Sequence, residues 1–392
     1  MSLETRPDIH RSITTARASM ASSVVSHEHC DSNALPAERT AVSSLASDRF
    51  YKLCPGHHAF ANGTRVPLGQ PRCGDGSNYA FFVSRPATPA SGGGREKIAL
   101  ELAGGGACWD EVTCAVQAFA LAFPSHFDAA VGSSCADNVF RDLLLCSKTI
   151  GDTDFSTYTH IVIPYCTQDV HSGDAPAAPY GVRHVGAHNL YRTLQWIFDN
   201  FADPSHIFLT GCSAGGTPLT VVYDLIRMHY ASVNVPVAMN AIADSPVFLT
   251  PKHFLQNFLP NWNMDTILKM VDFDVDKYRN NESMPLAIMD HVFERGNSSS
   301  KWGMATHRDD PTSHMYYTAM NGDLFGRERQ LSTSELNDSG KWTRRAADEV
   351  GSRWWTEMNS SLNHLMTSNS NFDAYIVDGE GHCDFGLVRT TV

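Results

Sequence analysis

Short runs of apolar and β-branched residues recur along the chain and predict buried β-strands. The predicted strands cover residues 79–83, 98–102, 160–164, 206–209, 237–243, 286–289 and 374–377. Apolar positions spaced three and four apart predict helices between several of them, notably at 189–200 and 216–230. Apolar strands that alternate with helices are typical of a mainly parallel sheet covered on both faces. We therefore predict an α/β fold.

The pattern also suggests how the chain is organised. Residues 1–48 are rich in Ser, Thr and Ala without clear periodicity, so we expect a loosely packed N-terminal segment. Residues 49–392 are predicted to form one catalytic-sized domain. Within it, residues 246–283 and 298–341 are turn-rich, and we expect insertions that cap the sheet.

Composition and charge narrow the class of protein. The 392 residues are 42% apolar and 18% charged, which is ordinary for a globular protein. The formal charge of -12, without a basic run, argues against nucleic acid or an anionic membrane as partner. No stretch of 18 apolar residues is present, so we expect no membrane span. The sequence leaves the oligomeric state open.

Ten cysteines are irregularly spaced and contain no C-x2-C pair, so we interpret most of them as disulfides rather than zinc ligands. Five N-x-[ST] sequons agree with a protein outside the cytosol; they begin at Asn62, Asn281, Asn297, Asn337 and Asn359. The first residues lack the apolar core of a signal peptide. We expect a secreted or extracellular glycoprotein whose signal peptide is not present in this sequence.

The strongest chemical motif is Gly-Cys-Ser-Ala-Gly-Gly at 211–216, between a predicted strand and a predicted helix. It fits G-x-S-x-G, a strained turn that lifts the serine hydroxyl above the sheet and places it at a helix N-terminus. Ser213 is therefore the candidate nucleophile. The alternative is a tight turn without chemistry, which the strand before it and the helix after it disfavour.

A glycine triplet at 104–106 follows an earlier strand. In a hydrolase with such a serine turn, the loop at this place and the residue after the nucleophile supply the oxyanion hole. The predicted donors are the backbone amides of Gly105, Gly106 and Ala214.

The base is predicted to be His382, in a glycine-rich turn after the last strand. The acid must lie between Ser213 and His382, most often after the strand two places beyond the serine turn. We assign that strand to 286–289, which makes Asp290 and Glu294 candidates. Asp244, at the end of the preceding strand, is the third candidate, with a pocket-shaping or structural role as its alternative.

Three segments together resemble the pectin acetylesterase and Notum family: LAGGGACWDEVTC at 102–114, LTGCSAGG at 209–216 and GEGHC at 379–383. The resemblance extends over about residues 75–390. It implies an α/β-hydrolase fold and a serine esterase that needs no metal or organic cofactor. It implies as substrate an acetylated polysaccharide, or a protein from which a longer acyl chain is removed. The family's acid follows an aromatic residue, as Glu294 follows Phe293, so we favour Glu294 over Asp290.

The resemblance also bears on the pocket and the cysteines. Ala103 and Ala107 stand where the family has Glu and Trp, so we expect a smaller or more open pocket rim. Cys108 and Cys114 keep the family's spacing and are predicted to form a disulfide. Cys166 and Cys212 end strands that we expect to be neighbours in the sheet, so they are predicted to form a second disulfide. Proximity in the sequence suggests two further pairs, Cys135 with Cys146 and Cys54 with Cys73. A thioesterase, an amidase, a polyester hydrolase or a non-catalytic binding protein on this scaffold remain alternatives.

Overall fold

The computed structural model describes residues 34–55, 69–86, 95–115, 149–150, 153–257, 259–279, 281–296, 300–321 and 344–383. The strands are β1 (Leu35–Pro36), β2 (Phe50–Cys54), β3 (Phe81–Ser84), β4 (Lys97–Leu102), β5 (Thr149–Ile150), β6 (Thr153–Asp154), β7 (Thr159–Ile163), β8 (His206–Cys212), β9 (Ala238–Asp244), β10 (Lys301–His307) and β11 (Phe372–Val377). The helices are α1 (Glu111–Ala115), α2 (Gly186–Asn200), α3 (Leu219–Ser232), α4 (Lys252–Asn257), α5 (Asp265–Met270), α6 (Val275–Tyr278), α7 (Met284–Arg295), α8 (Pro311–Met320) and α9 (Arg344–Ser368).

Nine strands form one sheet in the order β1-β2-β3-β7-β4-β8-β9-β10-β11. All neighbours from β7 to β11 are parallel, and only β3 runs antiparallel to the strands on either side of it. Parallel strands place their carboxyl ends at one edge of the sheet, where ligands bind in open α/β sheets. The predicted α/β-hydrolase-like fold is confirmed, with β8 at the centre of the parallel part.

Six of the seven predicted strands are present, with ends shifted by one to three residues. The prediction of a strand at 286–289 was wrong, because these residues lie inside helix α7. Met284, Ile288, Met289, Val292 and Phe293 are its buried positions, and they recur with the helical period. A four-residue apolar run does not distinguish a buried strand from one face of a helix.

The segment 298–341 is not an insertion throughout. It contains β10, which pairs with β9 and β11 in the middle of the parallel sheet, and helix α8. Lys301, Gly303 and His307 interrupt the apolar pattern of β10, which explains why the sequence does not reveal this strand.

The expectation of a loose N-terminal segment was wrong for residues 34–48. Strand β1 pairs with β2, and Ala37, Val42 and Leu45 are buried in the main core. Two hydrogen bonds to helix α2 fix this stretch: the Val42 amide donates to Asn200 Oδ1 at 2.8 Å, and Trp196 Nε1 donates to the Thr40 carbonyl at 3.0 Å. Residues 1–33 lie outside the described residues.

Three disulfides connect described cysteines: Cys73–Cys166, Cys108–Cys114 and Cys212–Cys383. The predicted pair Cys166–Cys212 was wrong because β4 lies between β7 and β8. Two strand spacings separate their ends by about 10 Å, beyond the reach of a disulfide. The pair Cys54–Cys73 was wrong as well, since Cys73 bonds to Cys166. Cys135 and Cys146 lie outside the described residues.

Candidate active site

Ser213 begins a single turn of 3-10 helix directly after β8. Its φ of +53° is left-handed, as expected for a strained turn between strand and helix. The turn also requires Gly215: a Cβ atom there would stand 2.0 Å from the Leu102 carbonyl oxygen of the neighbouring strand. Ser213 therefore lies at the carboxyl edge of the sheet and is 5% exposed. The amide of the next residue, Ala214, lies in the first turn of a helix, where backbone amides have no acceptor within the helix.

The glycine loop after β4 passes directly beside this turn. A Cβ atom on Gly104 would lie 2.4 Å from the Cys212 carbonyl oxygen and 3.3 Å from Ser213 Cβ. Gly105 and Gly106 have φ values of +148° and +81°, which residues with side chains rarely adopt. The loop is thus held against Ser213 in a conformation that depends on glycine.

Two buried side chains fix this loop at its ends. His171 Nε2 donates to the Ala103 carbonyl at 2.8 Å, and burial lowers the pKa of His171, so the ring stays neutral. The Ala107 amide donates to the Tyr316 hydroxyl at 3.1 Å. Sequence reasoning missed both residues, because neither belongs to a motif.

His171 lies in a strained segment. Gln168, Val170 and His171 all have positive φ, which is exceptional for a β-branched residue such as Val170. The buried Asp169 carboxylate compensates by accepting the Thr167 hydroxyl at 2.6 Å and the Gly186 amide at 2.7 Å. Strain of this kind persists only where surrounding contacts enforce it, and it is common beside functional sites.

His382 follows β11, and its Nδ1 donates to Asp310 Oδ2 at 2.8 Å. Asp310 precedes α8, where it also accepts the Ser313 amide and hydroxyl, each at 2.9 Å. Its side chain is fully buried, whereas that of His382 is 19% exposed. Since Nδ1 holds the hydrogen of the neutral ring, Nε2 is free to accept a proton.

The structure does not bring Glu294 to His382, so its prediction as the acid was wrong. Glu294 is exposed on α7 and borders a polar groove together with Asp290. Asp290 forms an ion pair of 3.0 Å with His364 in that groove. Asp244 is buried at the end of β9, where Ser245 Oγ donates to it at 3.2 Å. The carboxylate that is bonded to His382 follows the strand two places beyond β8, as expected for the acid, but that strand is β10.

The disulfide Cys212–Cys383 connects the residue before Ser213 with the residue after His382. The two Cα atoms are 5.5 Å apart, although 171 positions separate them in the sequence. A second contact holds the same turn, since the Cys383 amide donates to Ser245 Oγ at 3.1 Å. Ser213 and His382 are therefore held at one point of the sheet edge.

We expect the double substitution Cys212→Ala, Cys383→Ala to lower the free energy of unfolding by about 5 kcal/mol, because it opens a loop of 171 residues. The matched control Cys108→Ala, Cys114→Ala opens a loop of six, with an expected loss of about 2 kcal/mol. Urea denaturation of both variants measures the difference. Equal losses would show that the long disulfide does not constrain the unfolded chain as described.

An apolar pocket begins at the serine turn, where Gly216, Thr217 and Ala107 contribute to its wall. It continues between α3, α7 and β10. Its large apolar side chains include Trp109, Phe248, Phe254, Leu259, Trp262, Met264, Leu268, Met284, Ile288, Met289, Trp302, Met304 and Met320. Ala107, in place of the tryptophan expected from the family pattern, lines this pocket. A pocket with so many apolar side chains suits a hydrocarbon group.

Among the described residues, the one cluster with metal-ligand geometry is Cys108, Cys114 and His184. The two cysteines are bonded to each other, so neither offers a thiolate. No helix in the described parts of the chain is both long and apolar enough to cross a membrane.

The sequence is similar to those of known proteins. A sequence profile of the pectinacetylesterase family matches residues 68–277. The palmitoleoyl-protein carboxylesterase NOTUM of Schmidtea mediterranea is 24% identical over 227 residues, which are 52% of this chain and 40% of that protein. The chain thus matches less than half of the length of this relative.

Among solved structures, the Wnt deacylase Notum from Drosophila aligns with 82% of this chain and 84% of its own, at 17% identity and a TM-score of 0.49. The profile match is independent of that alignment and includes the glycine loop, the serine turn and the strained segment before α2. Because it covers more than half of the sequence, the chain belongs to the pectinacetylesterase family.

Proposed function

We propose that this protein is a secreted serine esterase that removes an acyl chain longer than acetyl from an alcohol. One observation carries the catalytic part of the proposal: the His382–Asp310 pair is connected to the Ser213 turn by the disulfide Cys212–Cys383. The membership in the pectinacetylesterase family supports the same reaction class.

In the proposed reaction, Ser213 Oγ attacks the ester carbonyl carbon and His382 Nε2 takes the hydroxyl proton. Asp310 stabilises the positive charge that develops on the imidazole ring. The amides of Gly105, Gly106 and Ala214 donate to the tetrahedral oxyanion. His382 then protonates the leaving alcohol, the acyl group stays on Ser213, and water releases it by the same steps.

A fluorophosphonate probe tests the catalytic proposal directly, because it phosphonylates only a serine that a neighbouring base activates. We expect labelling at Ser213 in the folded protein and none after denaturation. A folded protein that stays unlabelled would favour the non-catalytic alternative, a binding protein on a hydrolase scaffold.

The acyl specificity follows from the pocket. An acetyl group would contact only the few atoms nearest Ser213 and leave the apolar walls between α3 and α7 unused. Each methylene that leaves water for such walls contributes about 0.8 kcal/mol. The proposed substrate is therefore an ester with a medium or long hydrocarbon chain, rather than the acetylated polysaccharide that the resemblance also allowed.

We expect kcat/KM on p-nitrophenyl esters to rise about fourfold per methylene from acetyl to about decanoyl, as the chain fills the pocket. The variant Ala243→Leu adds three carbons to the pocket wall at β9, so its decanoyl-to-acetyl ratio should fall about tenfold or more. A wild-type rate that is highest for acetyl would refute the acyl-chain proposal and leave the esterase proposal standing.

Secretion is proposed on the three disulfides between described cysteines, which persist in oxidising compartments. The sequons at Asn281 and Asn359 are compatible with glycosylation there. Expression in a eukaryotic host tests secretion, and we expect the protein in the culture medium. Endoglycosidase treatment of that protein tests glycosylation, because removal of the glycans lowers its mass.

A further inference from the structure

One of the side chains that line the apolar pocket carries a buried polar hydrogen without a partner. Trp302 lines the pocket from β10 and is 4% exposed. Within the part of the chain that the structure describes, its indole Nε1 has no hydrogen-bond acceptor. The rings of Tyr223 and Phe293 pack against the indole in T-shaped contacts, with centroids 5.1 and 5.3 Å away. An aromatic ring is at best a weak acceptor for such a hydrogen.

An unpaired donor at this position is unfavourable, because burial removes it from water and gives nothing in return. The indole N–H can donate and cannot accept. The side chains of the pocket residues Met284, Ile288 and Met289 carry no oxygen. An oxygen supplied by the occupant of the pocket would satisfy this donor.

The sheet register shows how deep Trp302 lies. Trp302 pairs with Ala241 of β9, and Ala241 pairs with Leu209 of β8. Ser213 comes four residues after Leu209, so Trp302 lies about 13 Å below Ser213 along the strand direction. Because β10 is two strands away from β8, Trp302 is also displaced by about 10 Å across the sheet, and the separation is about 16 Å. An extended hydrocarbon chain advances roughly 1.25 Å per carbon. A chain attached to Ser213 therefore reaches Trp302 at about its thirteenth carbon.

We propose that the acyl group cleaved by this enzyme carries a carbonyl oxygen near its thirteenth carbon, and that Trp302 Nε1 donates a hydrogen bond to it. The inference rests on the proposed esterase function and names its substrate class, an oxo-fatty acyl ester. A carbonyl fits better than a hydroxyl, since it only accepts and leaves no hydrogen of its own unpaired among apolar side chains. Trp302 thereby selects the substrate and takes no part in the bond-breaking step.

The test compares kcat/KM for p-nitrophenyl hexadecanoate with that for its 13-oxo and 4-oxo derivatives. The wild-type enzyme should prefer the 13-oxo ester to the 4-oxo ester by about tenfold. Trp302→Phe retains an aromatic ring and removes the donor, so the preference should fall to about onefold. The matched control Tyr223→Phe keeps the ring contact with Trp302 and removes a hydroxyl that is bonded to Ser300 at 2.6 Å. That variant should keep the tenfold preference.

Equal rates of the wild-type enzyme on the two oxo esters would overturn the proposal, whatever the variants do. A preference that survives in Trp302→Phe would also overturn it, because another group would then bind the oxygen. Both results leave the esterase proposal intact as long as the hexadecanoate ester is hydrolysed. Failure to hydrolyse any of the three esters would instead refute the proposed function, and with it this inference.

Discussion

Replacement of Ser213 by Ala should lower kcat for ester hydrolysis by about five to six orders of magnitude. The hydroxyl is the proposed nucleophile, and no other group at the serine turn can form the acyl-enzyme. The melting temperature should stay close to that of the wild type, because a single hydroxyl at the sheet edge contributes little packing. A p-nitrophenyl ester assay measures kcat, and a thermal melt on the same preparation measures the melting temperature.

His382→Ala serves as the companion variant. Residues that act as one catalytic unit fail together, so its loss should be of similar size and should not add to that of Ser213→Ala. Substantial activity in Ser213→Ala would show that the turn does not carry the nucleophile. Substantial activity in His382→Ala alone would instead assign the base to another histidine.

Replacement of Asp310 by Asn should lower kcat by about 10⁴-fold. The amide keeps the shape of the side chain, but it removes the charge that stabilises the imidazolium and favours the wrong tautomer of His382. Glu294→Gln is the matched control, because Glu294 was the acid expected from sequence and lies exposed on α7. It should hydrolyse the same ester at nearly the wild-type rate.

Asp290→Asn removes the ion pair with His364 in the groove beside α7 and should likewise leave catalysis nearly unchanged. The reverse pattern would overturn the assignment: an active Asp310→Asn together with a severe loss in Glu294→Gln or Asp290→Asn. Circular dichroism of Asp310→Asn is needed as well, since the side chain also accepts the amide and hydroxyl of Ser313.

The sequence predicted those strands and site residues whose place in the fold requires a recognisable local pattern of residues. Strands β4, β7 and β8 are buried on both faces and therefore appear as continuous apolar runs. Ser213 was identifiable because its turn needs small residues at fixed spacing, and His382 because it follows the last strand. The chemistry at these two positions imposes a local signature.

Asp310 carries no such signature. Its role depends on β10, whose glycine and charged residues hide it, and on a pairing with His382 across 72 positions. The apolar residues of α7 were predicted to be the strand that precedes the acid. The acid was therefore assigned to Glu294, which follows that run. The predicted pair Cys166–Cys212 was wrong for a related reason. The order of strands in the sheet, with β4 between β7 and β8, is a tertiary property that the local sequence does not show.

The position of His382 beyond the last strand has a consequence for biosynthesis. The nucleophile turn, the glycine loop and the acyl pocket are translated before β11, the edge strand that leads to His382. A nascent chain that ends before residue 372 therefore contains the proposed nucleophile without its base. In the proposed mechanism, ester hydrolysis therefore requires that β11 has joined the sheet, because the turn after β11 brings His382 to the Ser213 turn. The disulfide Cys212–Cys383 then connects the two turns covalently.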